Sequence, residues 1–440
     1  MEEREEVLEA KDLNRQGIAL LKAGKTDEAG EKFFKAIDVE PMLMESYKNI
    51  GDMYMLIEDY PEAKNYYKKA LLIEKSGEVY FRYGNACIMN DELQQGLKQY
   101  NYASSQGYEN DEMYYFMAMS YENMDDDQLA LRYIQKAIII NPVMPEYKVK
   151  KIALLLNMNR VDDAKQEVDH LIISDPDLFD GYHLKNMILM QESNWDEAVT
   201  FSKKAMEKFP EDVELMYDHA KALGLSGKCE DALKIIEISK KMKYFEDSRA
   251  KMTLLEAEIE AELGNIDNAY EKCNECISYE QDEVDLEARY MRINLSIVLK
   301  KYEDAINDAN VIIDSENRGN YYFSALYYRG ICALKLGKNE EAENYFKDAI
   351  ALYRLATLER PDAFEAYLYR VMCLKELKEY DKALELLEFI EKLSDEVAEV
   401  YTIRADIYSL MGKEVLAKEE LKKAYELKPE LKELFTESGD

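Results

Sequence analysis

Residues 329–349 read RGICALKLGKNEEAENYFKDA, and the spacing of their apolar and small residues indicates the fold. Gly330 lies on one apolar stripe at helical spacing, and Ala342, Phe346 and Ala349 lie on a second. The turn signal Leu336-Gly337-Lys338 separates the two stripes, which predicts two helices joined as a hairpin. Small residues at 330 and 342 let the helices approach closely, and large neighbours fill the space around that contact.

The small residue represented by Ala342 returns about every 34 positions and serves here as the anchor of each repeat. Its twelve occurrences are Ala29, Ala63, Gly96, Ala130, Ala164, Ala198, Ala232, Ala269, Ala305, Ala342, Ala383 and Ala417. A fixed period of this size is typical of a stacked solenoid rather than of a globule with a single core. We number each repeat so that the anchor is place 20.

Other places repeat in phase with the anchor. Place 8 is small in eight repeats, namely Gly17, Gly51, Gly84, Ala118, Ala220, Ala257, Gly330 and Ala405. Repeats 5, 6 and 9 instead have Ile152, Asn186 and Ile293 there, which predicts looser or re-registered packing. Place 32 is proline in five repeats, where it is expected to end the second helix. These are Pro41, Pro142, Pro176, Pro210 and Pro429.

The pattern resembles the tetratricopeptide repeat family over roughly residues 10–429. The resemblance implies an all-α fold, a right-handed α-solenoid or superhelix of stacked helix-turn-helix hairpins. We expect a helical lead-in at 1–9, repeats 1–7 at 10–244, longer repeats 8–12 at 245–429, and a cap or tail at 430–440. Irregular spacing is predicted at 243–247, 315–320 and 355–361, where the array would bend or carry an insertion.

Composition narrows the range of partners. The 440 residues include 90 acidic and 57 basic side chains, a net charge of −33. Nucleic-acid binding needs phosphate neutralisation by Lys and Arg, so this balance argues against it, and equally against an anionic membrane surface. No apolar run is long enough to cross a bilayer. The start of the chain does not resemble an export signal, so we expect a cytoplasmic protein with reduced cysteines.

No constellation of residues points to catalysis. The Cys273-Asn274-Glu275-Cys276 motif lacks the second pair that zinc or redox chemistry needs, and its cysteines fall at the core places 24 and 27. His170, His183 and His219 are far apart, and no phosphate-binding glycine loop or nucleophile elbow is present. We therefore expect no enzyme activity, no cofactor and no metal.

The family resemblance also implies a test for a known clamp that holds acidic C-terminal tails of chaperones. Its places are occupied here by Asn14, Ile18, Asn49, Glu78 and Arg82, and only Asn49 and Arg82 match. A glutamate facing a carboxylate would repel it, so the clamp is not expected.

Place 5 is where the resemblance puts the concave wall, and it is aromatic or aliphatic through the middle of the chain. The candidate peptide groove comprises Phe81, Tyr115, His183, Tyr217, Tyr290 and Tyr327. The 34 tyrosines suit a wet contact surface, although tyrosine is also frequent in such repeats. Place 2 is acidic in nine repeats, which is also explained by the helix macrodipole. Place 7 is mostly cationic, and we expect it to pair with acids of adjacent repeats.

These observations predict a non-enzymatic scaffold that binds a protein or peptide segment, of basic and apolar character, in its concave groove. The alternative is a peptide-responsive sensor or regulator that changes superhelical pitch on binding. The sequence does not determine the partner, the pathway or the oligomeric state.

The apolar residues Leu427, Leu431, Leu434 and Phe435 are expected to form a C-terminal cap or to pair with a second chain.

Overall fold

The computed structural model describes residues 2–315, 321–361, 363–393, 397–429 and 431. Over these residues the chain forms 24 α-helices and no β-strand. Its contacts divide it into two units, residues 1–209 and 210–440. In each unit consecutive helices pack pairwise as hairpins, which confirms the predicted all-α solenoid of stacked repeats.

The first unit contains twelve helices, two for each of repeats 1–6. They are α1 (Glu2–Lys22), α2 (Thr26–Val39), α3 (Met44–Leu56), α4 (Tyr60–Ile73), α5 (Gly77–Met89), α6 (Leu93–Ser105), α7 (Asp111–Glu122), α8 (Asp127–Ile140), α9 (Pro145–Asn157), α10 (Val161–Ser174), α11 (Phe179–Gln191) and α12 (Trp195–Lys208).

The second unit contains repeats 7–12. Its helices are α13 (Val213–Leu225), α14 (Cys229–Ser239), α15 (Phe245–Glu262), α16 (Ile266–Ile277), α17 (Asp282–Val298), α18 (Tyr302–Asp314), α19 (Tyr322–Lys335), α20 (Asn339–Glu359), α21 (Phe364–Glu376), α22 (Tyr380–Leu393), α23 (Ala398–Leu410) and α24 (Glu414–Leu427). The domain limits predicted near residue 244 remain a prediction.

The longer period of the later repeats comes from longer helices. The helices α15, α17 and α20 contain 18, 17 and 21 residues, against 11 to 14 in the other helices of this unit. The irregularity expected at 355–361 is mostly the last turn of α20, which runs to Glu359. That expectation of a connection was therefore wrong for most of the segment, while the residues 316–320 lie outside the described part of the chain.

Every hairpin turn has the same backbone conformation at place 15, five residues before the anchor. This residue has a positive φ in all twelve repeats, from 55° to 77°. Glycine occupies it five times, as at Gly337, and another residue seven times, as at Glu58 and Lys378. The following amide closes the turn by donating to the carbonyl five residues before it, for example Lys338 to Ala333 at 2.9 Å. This is the Schellman ending of a helix, which satisfies carbonyls that the helix end leaves free.

All twelve anchors are buried, as expected for residues on the face of the second helix that packs in the hairpin. Place 8 of the first helix faces place 24 of the second helix. Where place 8 is glycine, place 24 is Phe or Tyr, and a Cβ added to Gly17, Gly51, Gly84 or Gly330 would lie only 2.4 or 2.5 Å from that ring. An aromatic ring at place 24 therefore requires glycine at place 8.

Repeats 5, 6 and 9 have the larger residue at place 8 and the smaller one at place 24. Their larger place-8 residues Ile152, Asn186 and Ile293 are fully buried, and the residues at place 24 are the smaller Val168, Ser202 and Ala309, also fully buried. The hairpins α9–α10 and α11–α12 are clearly less closely packed than their neighbours, as expected, whereas α17–α18 is packed about as closely as α19–α20. The exchange of volume between the two places keeps these cores filled.

Helix boundaries follow the sequence signals closely. The aromatic residues Tyr60, Trp195, Tyr302 and Tyr380, all at place 17, are each the first residue of a second helix. The five place-32 prolines each stand two residues beyond the end of a second helix. Of the predicted C-terminal cap, Leu427 is the last residue of α24, whereas Leu434 and Phe435 lie outside the described residues.

Candidate peptide-binding surface

First helices of successive repeats contact each other directly within each unit. The pairs include α3–α5 and α9–α11 in the first unit, and α13–α15, α15–α17, α17–α19 and α19–α21 in the second. Second helices of neighbouring repeats are farther apart in the described residues. The odd-numbered helices therefore form the more closely packed layer, and we call the surface that they present the inner face.

The inner face of the second unit carries a group of tyrosines and charges, which we call the inner-face cluster. Its members lie on α13, α15, α17, α19 and α21, except Tyr321, which directly precedes α19. They are Tyr217, Lys221, Glu258, Glu287, Tyr290, Tyr321, Tyr328 and Tyr369. Lys221 donates a hydrogen bond of 3.4 Å to the Tyr217 hydroxyl, one helical turn away. The rings of Tyr290 and Tyr321 stack with their centroids 4.7 Å apart.

Glu258 shows how this surface is shaped. Its side chain is exposed to solvent, yet surrounding protein atoms raise the pKa of its carboxyl by burial. The Lys221 ammonium opposes this pKa shift, and the Glu287 carboxylate adds to it. A charge that reaches water while being flanked by protein on several sides is typical of the wall of a groove.

Four tyrosines of the cluster, Tyr217, Tyr321, Tyr328 and Tyr369, are held in the neutral form. Burial, followed by the charge of Glu287 and a hydrogen bond to it, raises the pKa of Tyr321 to about 12. Burial also raises the pKa of Tyr217, Tyr328 and Tyr369. At neutral pH the cluster therefore offers phenolic hydroxyls and ring faces beside two carboxylates and a single ammonium group.

The inner face of the first unit carries a different group, in which the charges are mutually paired. Arg82 lies 3.1 Å from Asp52 and 2.9 Å from Glu78, and Lys48 lies 3.2 Å from Glu78. The Tyr67 hydroxyl donates to Asp52 at 2.7 Å. Two cations here match two carboxylates, so this group presents no excess charge to a ligand.

The two residues that match the acidic-tail clamp in the first three repeats both have partners within the chain. The matching residue Arg82 is already engaged by two carboxylates of its own chain. The other match, Asn49, is buried and donates to Asn14 at 3.2 Å. A carboxylate ligand would have to displace these partners, and the absence of the clamp remains a prediction.

The six predicted groove residues do not share one environment. Phe81 and Tyr327 are buried, each 6% exposed, and pack within hydrophobic core clusters. The ring of Phe81 lies 6.0 Å from that of Tyr100, and the ring of Tyr327 lies 6.2 Å from that of Phe346. These two residues support the inner face from below.

The other four groove residues are half-buried. Tyr115 packs against the buried Tyr147, with ring centroids 5.1 Å apart, and His183 also lies in the first unit. Tyr217 and Tyr290 lie in the second unit, where they belong to the inner-face cluster. The sequence prediction considered place 5 and therefore missed Lys221 and Glu258. Both stand at place 9, one helical turn after place 5 on the same helix face, and that spacing was the available signal.

The Cys273-Asn274-Glu275-Cys276 motif is part of the core. Cys273 and Cys276 are 0% and 1% exposed, and burial raises their pKa values to about 12 and about 11. The Cys276 thiol donates to the Ala250 carbonyl, with a separation of 3.5 Å. Among the described residues no group of three or more His, Cys, Asp or Glu is arranged to hold a metal ion.

Comparison with protein families matches the tetratricopeptide repeat at residues 45–76, 111–143, 329–393 and 398–431. These segments coincide with hairpins α3–α4, α7–α8, α23–α24 and the region from α19 to α22. The chain is a tetratricopeptide repeat protein. Stacked repeats of this kind form extended binding surfaces, and the protein is accordingly a protein-interaction scaffold.

Several proteins resemble this tetratricopeptide repeat protein over most of their length. The human DnaJ homolog subfamily C member 7 is 20% identical over 436 residues, which cover 92% of this chain and 85% of the relative. The bovine DnaJ homolog subfamily C member 3 is 21% identical and covers 79% and 75%. Yeast Tom70 is a structural neighbour with 14% identity, a TM-score of 0.48 and coverage of 93% and 98%.

No helix in the described ranges of this tetratricopeptide repeat protein combines the length and the apolar character needed to cross a membrane.

Proposed function

We propose that the protein binds a segment of a partner protein on the inner face of its second unit, and that the segment is basic and apolar. The observation that carries this proposal is the composition of the inner-face cluster. The cluster contains two carboxylates, of Glu258 and Glu287, but one ammonium group, of Lys221. Tyrosine rings flank these charges. A lysine or arginine of the ligand would form ion pairs with the two carboxylates, and the apolar residues beside it would pack against the tyrosine rings.

The second unit is favoured over the first because of its unbalanced charge. In the first unit Lys48, Asp52, Glu78 and Arg82 compensate one another. A ligand would have to break those pairs before using either carboxylate, and that would cost affinity. Tyr115 and His183 remain predicted groove residues, on the inner face of the first unit.

The proposal assigns no catalytic role to the protein and places it in the cytoplasm. The six cysteines are buried as free thiols and form no disulfide, which supports a reducing compartment. The sensor alternative remains a prediction, since a pitch change requires a second conformation of the array.

The test uses a random peptide display library selected on the wild-type protein and depleted against the Glu258→Gln/Glu287→Gln variant. Retained peptides are expected to combine Lys or Arg with aromatic or aliphatic residues. Synthetic versions should bind the double variant about tenfold more weakly, which corresponds to about 1.4 kcal/mol. The Tyr217→Ala/Tyr290→Ala variant should weaken binding by about 2 kcal/mol if the rings are hot spots.

The matched control is Glu262→Gln, which removes an exposed carboxylate at the end of α15. It should leave the affinity unchanged and, like the test variants, should keep the helical circular dichroism spectrum. Acidic peptides, or equal binding by the wild type and the Glu258→Gln/Glu287→Gln variant, would show that this surface does not select a basic segment.

A further inference from the structure

Place 7 of the first helix and place 23 of the second helix form a recurrent side-chain pair within the hairpins. The pair is ionic in four repeats. The pairs are Lys151–Glu167 at 2.8 Å, Arg292–Asp308 at 2.6 Å, Arg404–Glu420 at 3.1 Å and, with the charges reversed, Glu256–Lys272 at 3.2 Å. The place-7 cations were expected to pair with acids of adjacent repeats. In these repeats they pair with an acid of the same hairpin.

Two further repeats keep the cation and replace the acid by an aromatic ring. The Arg329 guanidinium lies 4.3 Å from the Tyr345 ring centroid, and the Lys185 ammonium lies 5.2 Å from that of Phe201. Both cations also have a polar partner from the preceding repeat. Arg329 donates to Asn310 at 3.3 Å, and Lys185 lies 2.5 Å from Asp169. A cation at place 7 is therefore regularly compensated.

Arg370 is the exception. It stands at place 7 of repeat 11, where place 23 is Leu386. The preceding helix α20 offers Lys347 and Arg354 rather than an acid or an amide. Within the described residues neither Arg354 nor Arg370 has an ion-pair or hydrogen-bond partner for its guanidinium, and Nε of Arg370 is buried without an acceptor. Burial, together with the charge of Arg354, lowers the pKa of Arg370.

The two arginines line a cleft of about 630 Å³ formed by α20, α21 and α22. The cleft has an apolar part made by Ile350, Leu374, Leu377, Leu386 and Phe389. Lys347 and Lys382 also line it but are paired with Glu343 at 2.5 Å and Glu379 at 2.7 Å. The remaining acid on its wall is Glu385. In a protein with a net charge of −33, two uncompensated guanidinium groups beside an apolar surface are a local reversal of charge.

We propose that this cleft binds a segment of a partner protein in which an acidic side chain stands next to a large apolar side chain. The guanidinium groups of Arg354 and Arg370 supply donors that match a carboxylate, and the carboxylate takes the role that an acid at place 23 has in other repeats. The site rests on α20–α22 and on a ligand of opposite charge to that of the inner-face cluster, so it is independent of the function proposed above.

The apolar part of the cleft selects a peptide over a simple anion. An inorganic ion would use the arginines and leave Leu386 and Phe389 in water, where Phe389 is 45% exposed. A phenyl or branched aliphatic group next to the acid would cover both residues. The ligand is therefore distinguished by an acid and an apolar side chain acting together.

The decisive variant is Leu386→Glu, which places a carboxylate at place 23 and recreates the pair found in repeats 5, 9 and 12. It should fill the anion position from within the chain, keep or raise the melting temperature, and abolish binding at the cleft. A random peptide display library is selected on the wild type and depleted against Leu386→Glu. Peptides that survive depletion should contain Asp or Glu adjacent to an aromatic or aliphatic residue.

The affinity of a synthetic survivor is then measured by fluorescence polarisation. We expect a loss of about tenfold or more in Arg354→Gln and in Arg370→Gln. No change is expected in Arg132→Gln, which removes an exposed arginine from α8. Arg354 is itself exposed, so its variant tests binding without a cost to the core. Replacing the apolar residue of the peptide by alanine should weaken binding by a similar factor.

Three results would overturn the proposal. The first is that no peptide survives depletion against Leu386→Glu. The second is that the surviving peptides are basic. The third is that inorganic phosphate displaces the peptide while its alanine version binds as tightly, which would reduce the cleft to a simple ion site.

Discussion

The ring of Phe346 occupies the space that a side chain on Gly330 would need. A Cβ built at position 330 would lie 2.4 Å from Cε1 of Phe346, well inside van der Waals contact. The same relationship joins Gly17 to Phe33, Gly51 to Tyr67 and Gly84 to Tyr100. The size of the residue at place 8 and the size of the residue at place 24 therefore depend on each other, although the two places lie on different helices.

Gly330→Ala is expected to lower the free energy of unfolding by about 1–3 kcal/mol, because the added methyl group forces the Phe346 ring to move. The measurement is the urea midpoint followed by circular dichroism. Gly224→Ala is the control, since its added Cβ would lie an ordinary 3.4 Å from Ile259 and alanine favours a helix interior. Gly330→Ala/Phe346→Ile, which copies Ala118 and Ile134 of repeat 4, should recover most of the loss. A midpoint unchanged by Gly330→Ala would contradict the packing argument.

The left-handed turn residue predicts opposite effects of two glycine changes. Lys378 has φ 60°. Lys378→Gly should raise the urea midpoint, because glycine relieves about 1 kcal/mol of backbone strain. The greater conformational entropy of glycine in the unfolded chain offsets part of this gain. Gly337 has φ 76°, and Gly337→Ala should lower the midpoint by a comparable free energy. Shifts of the same sign in the two variants would show that strain at place 15 is not the controlling factor.

Asp308 should be costly to neutralise. Its side chain is 1% exposed, and it accepts hydrogen bonds from Arg292 at 2.6 Å and from Arg289 at 3.1 Å. Asp308→Asn is expected to cost about 2–3 kcal/mol, below the loss for a fully buried pair because both arginines retain some contact with water. Asp314→Asn, at the exposed end of the same helix, should be nearly neutral. Equal urea midpoints for the two variants would mean that the pair contributes little.

Glu258 should make stability depend on pH. Its pKa in the folded protein is raised above the ordinary 4.5, so the stability that its protonated form contributes is present below 4.5 and is lost as pH rises through the folded pKa. Glu258→Gln should therefore be more stable than the wild type at pH 7, and this advantage should disappear in acid. Urea midpoints of both proteins across this range give the comparison, with Glu262→Gln as control. A constant difference at all pH values would refute the assignment.

The six cysteines should resist modification in the native state. All six are buried, and burial raises the pKa values of Cys87, Cys273, Cys276 and Cys332. Since the thiolate is the reactive form, a thiol reagent such as dithionitrobenzoate should react negligibly until denaturant is added, and then with all six. Purified protein should contain no stoichiometric zinc. Rapid native labelling of Cys273 or Cys276, or zinc lost on Cys273→Ser, would show that the motif is not core.

The sequence was sufficient to predict the hairpins because the signals for them are local. Small anchors such as Ala342, a proline after the second helix and an aromatic first residue such as Trp195 each act within one repeat. The conformation of the turn was visible only where place 15 is glycine. At Glu58 or Lys378 the same positive φ is imposed by the two packed helices, and no residue preference shows it.

The candidate surface was less predictable because exposure at place 5 depends on neighbouring helices. Tyr290 is half-buried and stacks on Tyr321, whereas Tyr327 is buried against Phe346 and Tyr369. The identity of the residue is the same in both repeats, so only the packing separates them. Place 9 could have been included, since Lys221 lies one turn from Tyr217, but the charge balance around Glu258 requires three helices to be placed together.

The reciprocal sizes at places 8 and 24 determine where repeats of this chain can be recombined. A chimera joined between hairpins, with α3–α4 in place of α19–α20, would bring its own glycine and its own ring. A chimera joined inside a hairpin, with α9 followed by α20, would set Ile152 against Phe346 where only glycine fits. The hairpin is therefore the smallest interchangeable module, and libraries of shuffled repeats should keep both of its helices from one parent.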